Sequence, residues 1–428
     1  MRFLLVSIGT HGDVLPYVAL GVSLQSRGHQ VQLAANHRFR SVAEANGLEF
    51  HALTRPGELD EALTNPNMWH PTRSAKVLCD WGLPRIPGHY DALKQITDSG
   101  DGVVLVGNPG VSACRLLQEK CGIPLVSIVL QPGVLPSVES PPVPPAGPAP
   151  SERWPRAMRC AYWRLFDYLT DSLLNPRLDP IRESLGLPPA SRFLRWRWLS
   201  TQLTIGLFPE WFGGHPSDWP NSIQLTGFPI FDGEGAKQPL PRGVTDFLKA
   251  GEPPIVFAPG TGNLRARQFF EASLQACERI GRRAILLSPH RELVPAQLPA
   301  WANRFDFVPL NKLLPRSSVL VHHGGIGTTA RALAAAVPQL IQPMAFDQRD
   351  NAARVRKLGV GTELRPKKFT GERVANALDE LLEPTRAAQL GSVADRLAHA
   401  DPLGQTCDLI EATFGEKETA RRKVRSKT

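Results

Sequence analysis

The sequence has no hydrophobic run long enough to cross a lipid bilayer. No apolar stretch approaches the roughly 18 residues that a transmembrane helix needs. The first residues hold one basic residue, a very short apolar stretch and no small-residue cleavage site. This pattern predicts a first β-strand rather than a signal peptide.

Cysteine is scarce, and its spacing carries no metal or disulfide signature. No C-x-x-C occurs, which argues against a zinc ribbon, and the scattered positions argue against a disulfide framework. The six positions are Cys79, Cys114, Cys121, Cys160, Cys277 and Cys407. Such usage fits a reducing compartment, so we predict a cytoplasmic protein.

Positive charge is present in excess, but most of it is not arranged for nucleic acid. The net charge is +9, and residues 416–428 carry six Lys or Arg against two Glu, which leaves +5 elsewhere. No Lys/Arg cluster with interleaved aromatic residues stands out in the rest of the chain, so we predict no nucleic-acid partner. We expect residues 415–428 to form a basic disordered tail. Weak contact of this tail with an anionic membrane stays open as a hypothesis.

Short apolar strands alternate with amphipathic helices in both halves of the chain. Residues 2–9, 30–35 and 102–107 are short segments with largely apolar centres, which are typical of strands in a parallel sheet covered on both faces. The alternation restarts at 254–260, after a segment rich in proline, glycine and charge. We therefore predict an α/β protein with two facing Rossmann-like domains and a cleft between them.

The segment rich in proline and glycine between the two halves indicates the domain boundaries. We predict a first domain at 1–232, a linker at 233–252 and a second domain at 253–400. The run at 132–150 holds eight prolines, so we expect a mobile loop there rather than a helix or a central strand.

The strongest chemical signal is VLVHHGGIGTTA at 319–330, where an apolar strand runs into a glycine turn and a helix. This order puts free backbone N–H groups at the positive end of a helix, which is typical of an anion site. Gly325 and Gly327 let a phosphate approach the backbone. Thr328 adds a hydroxyl donor, and we expect His322 to donate to a phosphate oxygen.

Two polar residues, Asp347 and Gln348, follow the next strand, where parallel sheets place ligand-binding groups. They are candidates for bonding hydroxyls on whatever the diphosphate carries. Two alternatives stay open. Residues 325–330 also fit the dinucleotide fingerprint G-x-G-x-x-G/A, although that fingerprint normally opens the first strand–helix unit of its domain. The glycines can also serve tight packing alone.

These motifs resemble family 1 glycosyltransferases of the GT-B fold, in their prokaryotic and sterol-type branch. HHGGIGTT followed by D-Q is similar to the family's donor motif, and GTHGDVLPYVAL at 9–20 is similar to its acceptor-side loop. The stretches at 207–212, 218–220 and 226–233 look most like bacterial rhamnolipid rhamnosyltransferases. The resemblance runs from the first residue to about residue 400. It also implies a helix at 401–414 that returns to the first domain.

The resemblance implies an inverting transfer of a hexose from a UDP- or dTDP-sugar, with no bound cofactor. It assigns diphosphate, base and sugar contacts to Gly12, Thr261, Phe307, Val308, His322, Gly325, Gly327, Thr328, Asp347 and Gln348. Phe307 would stack on the base, Val308 would offer backbone groups to its edge, and Thr261 would close on the phosphates. Many relatives hold the ribose with a glutamate where this sequence has Ala330 and then Arg331, so the residues do not distinguish uridine from thymidine.

The acceptor hydroxyl needs a base, because its own pKa lies far above neutral. Asp13 stands at the position of the catalytic group in the resembling family, in the loop after the first strand. The alternative is that Asp13 only caps a helix beginning at Val14. His11 is assigned either an accessory catalytic role or a solvent-facing one.

The expected site needs no metal, because the glycine turn can hold the charge of the leaving diphosphate. The sequence accordingly has no D-x-D motif. Eight of the nine tryptophans precede residue 220, which favours a lipophilic acceptor bound by the first domain. This acceptor would be a lipid, a sterol-like or a polyketide-like molecule of glycolipid or secondary-metabolite synthesis. An ordinary core or surface position is the better explanation for any single tryptophan.

Two other functions remain open on the same fold. One is a nucleotide-sugar 2-epimerase-type isomerase, which would bring several carboxylates into the cleft. The other is a catalytically silent partner of another transferase, which a broken phosphate turn or an absent base would favour. The sequence indicates no oligomeric state.

Overall fold

The computed structural model describes residues 1–99, 102–231, 239–260, 262–263 and 266–425, with side chains up to Gly415. Thr261, residue 232 of the expected first domain and residues 233–238 of the expected linker lie outside the described residues. Within the described part of the chain, two parallel sheets organise the molecule. The prediction of an α/β protein with two Rossmann-like domains is therefore confirmed.

The first sheet has seven described strands. They are β1 Arg2–Ser7, β2 Gln30–Ala35, β3 Glu49–Ala52, β4 Val103–Gly107, β5 Leu125–Val129, β6 Leu203–Gly206 and β7 Ile223–Leu225. Their order is β3-β2-β1-β4-β5-β6-β7, with parallel pairing throughout. The helices of this half are α1 His11–Ser26, α2 Arg40–Ala45, α3 Glu58–Leu63, α4 Ser74–Gly82, α5 Ile86–Asp98, α6 Ser112–Cys121, α7 Arg156–Ser184 and α8 Glu210–Gly213.

The second sheet has six described strands. They are β8 Ile255–Ala258, β9 Ala284–Leu287, β10 Ala302–Phe305, β11 Val319–His322, β12 Gln339–Ile341 and β13 Gly361–Glu363. Their order is β10-β9-β8-β11-β12-β13, again parallel. The helices are α9 Arg242–Lys249, α10 Arg267–Ile280, α11 Leu310–Leu313, α12 Ile326–Ala334, α13 Gln348–Lys357, α14 Gly371–Leu382, α15 Ala387–Ala398 and α16 Pro402–Arg425.

The strand orders indicate at which end of each sheet a ligand would bind. Each sheet has a point where the chain changes direction across it, between β1 and β4 in the first and between β8 and β11 in the second. Ligands of open parallel sheets bind beyond the carboxyl ends of the strands at such points. The loops after β1, β8 and β11 are therefore the places to look for a site.

Both faces of each sheet are covered, so a central strand such as β1 needs apolar side chains on both of its faces. Phe3, Leu4, Leu5 and Val6 of β1 are fully buried. Phe3 and Leu5 pack into one core cluster, and Leu4 and Val6 pack into another on the opposite face. This split follows from the alternation of side chains along a strand.

The last helix packs on the first domain. Cys407, Ile410 and Phe414 of α16 are buried in the same core cluster as Phe3 and Leu5. At its surface, Arg27, which directly follows α1, pairs with Asp408 at 2.6 Å and with Glu411 at 2.8 Å. The end of the chain thereby contributes to the core of the domain in which the chain begins.

Two expectations about segments need correction. The linker expected at 233–252 contains α9, because apolar residues at helical spacing bury Val244 against the second sheet. The tail expected to be disordered from 415 is helical as far as Arg425, since Glu, Lys, Arg and Ala favour helix and no proline or glycine follows Gly415. Among the described helices, none combines the length and the apolarity that crossing a bilayer requires.

Candidate active site

His322 is buried and fully engaged within the protein. The Gly324 N–H donates to its Nδ1 at 3.1 Å, so the proton lies on Nε2, which donates to Gln339 Oε1 at 3.0 Å. Burial lowers the pKa of His322 to about 3, so the ring is neutral. Both ring nitrogens are occupied, and the expectation that His322 donates to a phosphate is therefore wrong. Its role in this geometry is to hold the glycine turn.

The neighbouring His323 is the histidine that the sequence analysis missed. Its Nδ1 is buried and has no hydrogen-bond partner among the described residues. Burial lowers the pKa of His323 to about 4, although a backbone hydrogen bond with Ala258 acts in the opposite direction and raises it. Consecutive strand residues point to opposite sides, so one of two adjacent histidines at a strand end must leave the core. That alternation was the available signal.

The turn after β11 exposes backbone donors. Among the described residues, the N–H groups of Gly325, Ile326 and Gly327 have no acceptor, as the first groups of helix α12 require. A Cβ added at Gly325 would lie 2.5 Å from His323 Nε2, so only glycine fits there. Gly327 and Thr328 are partly exposed at the same helix end. The turn is therefore built as an anion site.

Asp347 and Gln348 form the start of α13, beyond the carboxyl end of β12. Asn351 Nδ2 donates to Asp347 Oδ2 at 2.6 Å. Burial raises the pKa of Asp347 to about 7, and the charges of Asp13 and Asp350 add to the rise. Gln348 Oε1 accepts from the N–H of Met344 at 2.8 Å and that of Ala345 at 3.2 Å. Within the described residues its Nε2 donates to no group, so it is available to a ligand.

Asp13 lies in the first turn of α1, because this helix begins at His11 rather than at Val14. Its Oδ2 accepts from Thr10 N at 2.7 Å and from Thr10 Oγ1 at 3.0 Å. The capping contact therefore exists, but no hydrogen bond among the described residues uses Oδ1. Burial raises the pKa of Asp13. A Cβ at Gly9 would lie 2.3 Å from Oδ2, so this glycine makes room for the carboxylate.

The charge of Asp13 in the first domain contributes to the raised pKa of Asp347 in the second, so the two carboxyl groups lie within range of each other's charge. Next to Asp13, His11 and Gly12 are exposed, and the His11 ring meets Phe39 edge-on at 5.2 Å. The base-binding candidates lie apart from these carboxylates in sequence, in the loop after β10. There Phe307 is 61% exposed and Val308 is buried.

The domains also touch beside this cleft. The proline-rich segment expected to be a mobile loop contacts α13, where Val143 N donates to Asp350 Oδ1 at 2.8 Å and Arg349 Nη1 donates to Pro144 O at 2.9 Å. Arg331, near the position where relatives carry a glutamate, donates to Gly327 O at 2.8 Å and to Phe231 O at 2.6 Å. These bonds hold the donor-side helices against the first domain.

Comparison with known proteins agrees with this architecture. Residues 3–130 match the glycosyltransferase family 28 N-terminal domain, and residues 283–409 match the erythromycin biosynthesis protein CIII-like C-terminal domain. The O-mycaminosyltylonolide 6-deoxyallosyltransferase of Streptomyces fradiae is 31% identical over 98% of this chain and 99% of its own. Glycosyltransferase GtfE of Amycolatopsis orientalis is 29% identical over 98% of this chain and 99% of its own.

Solved structures share the fold over nearly the whole chain. The calicheamicin glycosyltransferase CalG4 gives a TM-score of 0.71 at 19% identity, covering 97% of this chain and 98% of that one. The spinosyn rhamnosyltransferase SpnG with thymidine diphosphate gives a TM-score of 0.68 at 20% identity, covering 96% of this chain and 100% of that one.

These matches decide between the interpretations of the sequence. They do not support the expected likeness to rhamnolipid rhamnosyltransferases, and they favour antibiotic glycosyltransferases instead. They also favour a transferase over the epimerase, silent-partner and dinucleotide alternatives. With a relative 31% identical along almost its full length, the chain belongs to the family 1 glycosyltransferases of the GT-B fold and is a glycosyltransferase.

Proposed function

We propose that the protein transfers a hexose from a UDP- or dTDP-sugar to a hydroxyl group of a polyketide-like, lipophilic acceptor, with inversion and without a metal. The observation that carries this proposal is the turn after β11, where the N–H groups of residues 325–327 have no acceptor among the described residues. The Streptomyces fradiae relative is named for transfer of 6-deoxyallose to O-mycaminosyltylonolide, which supports a macrolide-type acceptor. The SpnG complex supports testing dTDP first.

The glycine turn would hold the diphosphate. The free N–H groups of residues 325–327 and the start of α12 supply fixed donors at the leaving group. His323 adds an unpartnered Nδ1, which donates when the proton lies on that nitrogen. These fixed hydrogen-bond donors would stabilise the negative charge that develops on the leaving diphosphate. We therefore propose that no metal is needed.

Asp347 and Gln348 would hold the sugar. Asn351 fixes one oxygen of Asp347, and the Met344 and Ala345 amides fix the oxygen of Gln348. The second carboxylate oxygen of Asp347 and the amide Nε2 of Gln348 are then positioned to accept from and donate to sugar hydroxyls. Such support by neighbouring groups keeps the anomeric carbon in a defined place, as a displacement reaction requires.

Asp13 would take the proton of the acceptor hydroxyl as its oxygen attacks the anomeric carbon. Thr10 holds Oδ2, which leaves Oδ1 for the hydroxyl. Burial raises the pKa of Asp13, and a raised pKa makes the ionised carboxylate a stronger base. The acceptor bound by the first domain would approach from the face opposite the diphosphate. The new bond therefore forms as the old one breaks, with inversion of configuration.

The test is transfer from dTDP-glucose and UDP-glucose to a macrolactone or a flavonoid, followed by mass spectrometry, with slow hydrolysis of the donor as a second readout. Asp13→Asn should lower kcat by about 10²- to 10⁴-fold, the usual contribution of a general base, with the Kd for dTDP unchanged. The matched control is Asp60→Asn, an exposed acid in the first turn of α3. An Asp13→Asn enzyme with more than a tenth of the wild-type kcat would refute this role.

A further inference from the structure

One tryptophan of the first domain reaches across the cleft to two loops of the second. Trp69 lies between α3 and α4, and its Nε1 donates to Gly262 O at 3.1 Å. Its ring meets the Phe346 ring edge-on, with centroids 5.9 Å apart. A Cβ added at Gly262 would lie 3.1 Å from Trp69 Cζ2, so the indole packs directly on this loop.

The two loops that Trp69 touches are those that carry the donor-side groups. Gly262 belongs to the loop after β8, and a Cβ added at Gly260 in that loop would lie 3.0 Å from His323 Cε1. The loop is therefore packed between Trp69 on one side and His323 on the other. Phe346 directly precedes Asp347, so the position of the Phe346 backbone fixes where the Asp347 backbone begins.

Phe346 has a backbone conformation that needs support from its surroundings. Its φ is +56°, in the left-handed region that a bulky aromatic residue rarely adopts. Such a residue persists only where neighbouring groups hold it. Phe346 packs on a cluster with buried residues Ala62, Met68 and Val77 of the first domain, and Trp69 belongs to this cluster.

The cluster that carries Trp69 is anchored within its own domain. Trp81 Nε1 donates to Glu58 O at 3.0 Å, and Arg85 Nε pairs with Glu58 Oε1 at 2.7 Å. Arg85 Nη1 also donates to the backbone oxygen of Trp81 at 2.5 Å, so Arg85 joins α3 to α4 independently of the Trp81 indole N–H. Trp69 therefore lies between two helices of the first domain that Arg85 holds together.

We infer that Trp69 is a positioning residue that sets the donor-side loops from the acceptor-binding domain. It acts through Gly262 and Phe346, which lie beside the groups proposed to hold the diphosphate and the sugar. This inference rests on the proposed function, because it concerns binding of a nucleotide sugar at the same site. Through Trp69, the affinity for the nucleotide sugar would depend on contacts made by the acceptor-binding domain.

The experiment compares Trp69→Phe and Trp69→Ala with Trp81→Phe. Trp81 is the matched control, because it lies in the same cluster and also donates its indole N–H to a backbone carbonyl, but within the first domain. Calorimetry gives the Kd for dTDP and for dTDP-glucose, which requires no turnover, and kinetics give the KM for the donor and kcat. Circular dichroism checks that each variant is folded.

Loss of one hydrogen bond in Trp69→Phe should weaken dTDP-glucose binding by about 3- to 10-fold, while Trp81→Phe should change it by less than about twofold. Trp69→Ala also loses the contact with Phe346, so it should weaken dTDP-glucose more than dTDP. If the wild type binds neither dTDP nor UDP, the proposed function is refuted and this inference with it. If the wild type binds and the Trp69 and Trp81 variants have equal affinities, the inference alone is refuted.

Discussion

Replacing Asp347 by asparagine should stabilise the protein at alkaline pH while it weakens binding of the sugar. The carboxylate lies at the start of α13, where burial raises its pKa to about 7 from the ordinary 3.8. Asparagine has nearly the same shape, and its Oδ1 can keep the hydrogen bond from Asn351. The substitution thus removes the charge and little else.

The magnitude follows from the two pKa values. Folding at pH 8 must bury an ionised carboxylate whose folded pKa is about 7 and whose unfolded pKa is near 3.8, which costs up to about 4 kcal/mol at 1.36 kcal/mol per pKa unit. Solvent contact of the partly buried carboxylate reduces this value, so we expect about 2–4 kcal/mol. Because the folded pKa is raised, the cost grows with pH from 3.8 to 7 and is constant above.

The assay is urea unfolding of wild type and Asp347→Asn at pH 8 and at pH 4.5, with Asp379→Asn as the matched control. Asp379 is exposed on α14, so its replacement should change the free energy of unfolding by less than about 0.5 kcal/mol. Asp347→Asn should be more stable than wild type by about 2–4 kcal/mol at pH 8 and by about 1 kcal/mol or less at pH 4.5, because the cost is only beginning to grow there. A variant that is no more stable than wild type at pH 8 would refute the reasoning.

Three further predictions concern the diphosphate site. His323→Gln should raise the Kd for dTDP by about 10- to 100-fold, because a hydrogen bond to a charged phosphate is lost, as calorimetry would measure. His322→Gln should lower the melting temperature more than His323→Gln does and the dTDP affinity less, because both nitrogens of His322 are engaged inside the protein. EDTA should leave the transfer rate unchanged, and loss of activity that Mg²⁺ restores would contradict the metal-free proposal.

The glycine turn could be predicted from the sequence because its determinants are local. An apolar strand, a turn with glycines and a helix lie within residues 319–330, so neighbouring residues alone place free N–H groups at a helix end. The same local pattern was not enough to choose between His322 and His323. Which ring faces the core depends on the side chain opposite it, and Gln339 lies in the next strand.

Elements with short or mixed patterns were harder to predict. The two edge strands β3 and β13 are only four and three residues long, and the sequence analysis did not assign them. Helix α9 was taken as linker because proline, glycine and charge surround it, while its one fully buried residue, Val244, is visible only once the second sheet exists.

The sequence alone determined the alternation of strand and helix, the two parallel sheets and the loops in which the chemical groups lie, because these follow from the spacing of apolar residues and glycines along a few neighbouring positions. The tertiary structure decided which of those groups meet. Asp13 and Asp347, like Trp69 and Phe346, are separated by hundreds of residues and come together only through the packing of one domain on the other. Contacts between domains depend on complementary surfaces rather than on local periodicity, so no pattern within one segment indicates them.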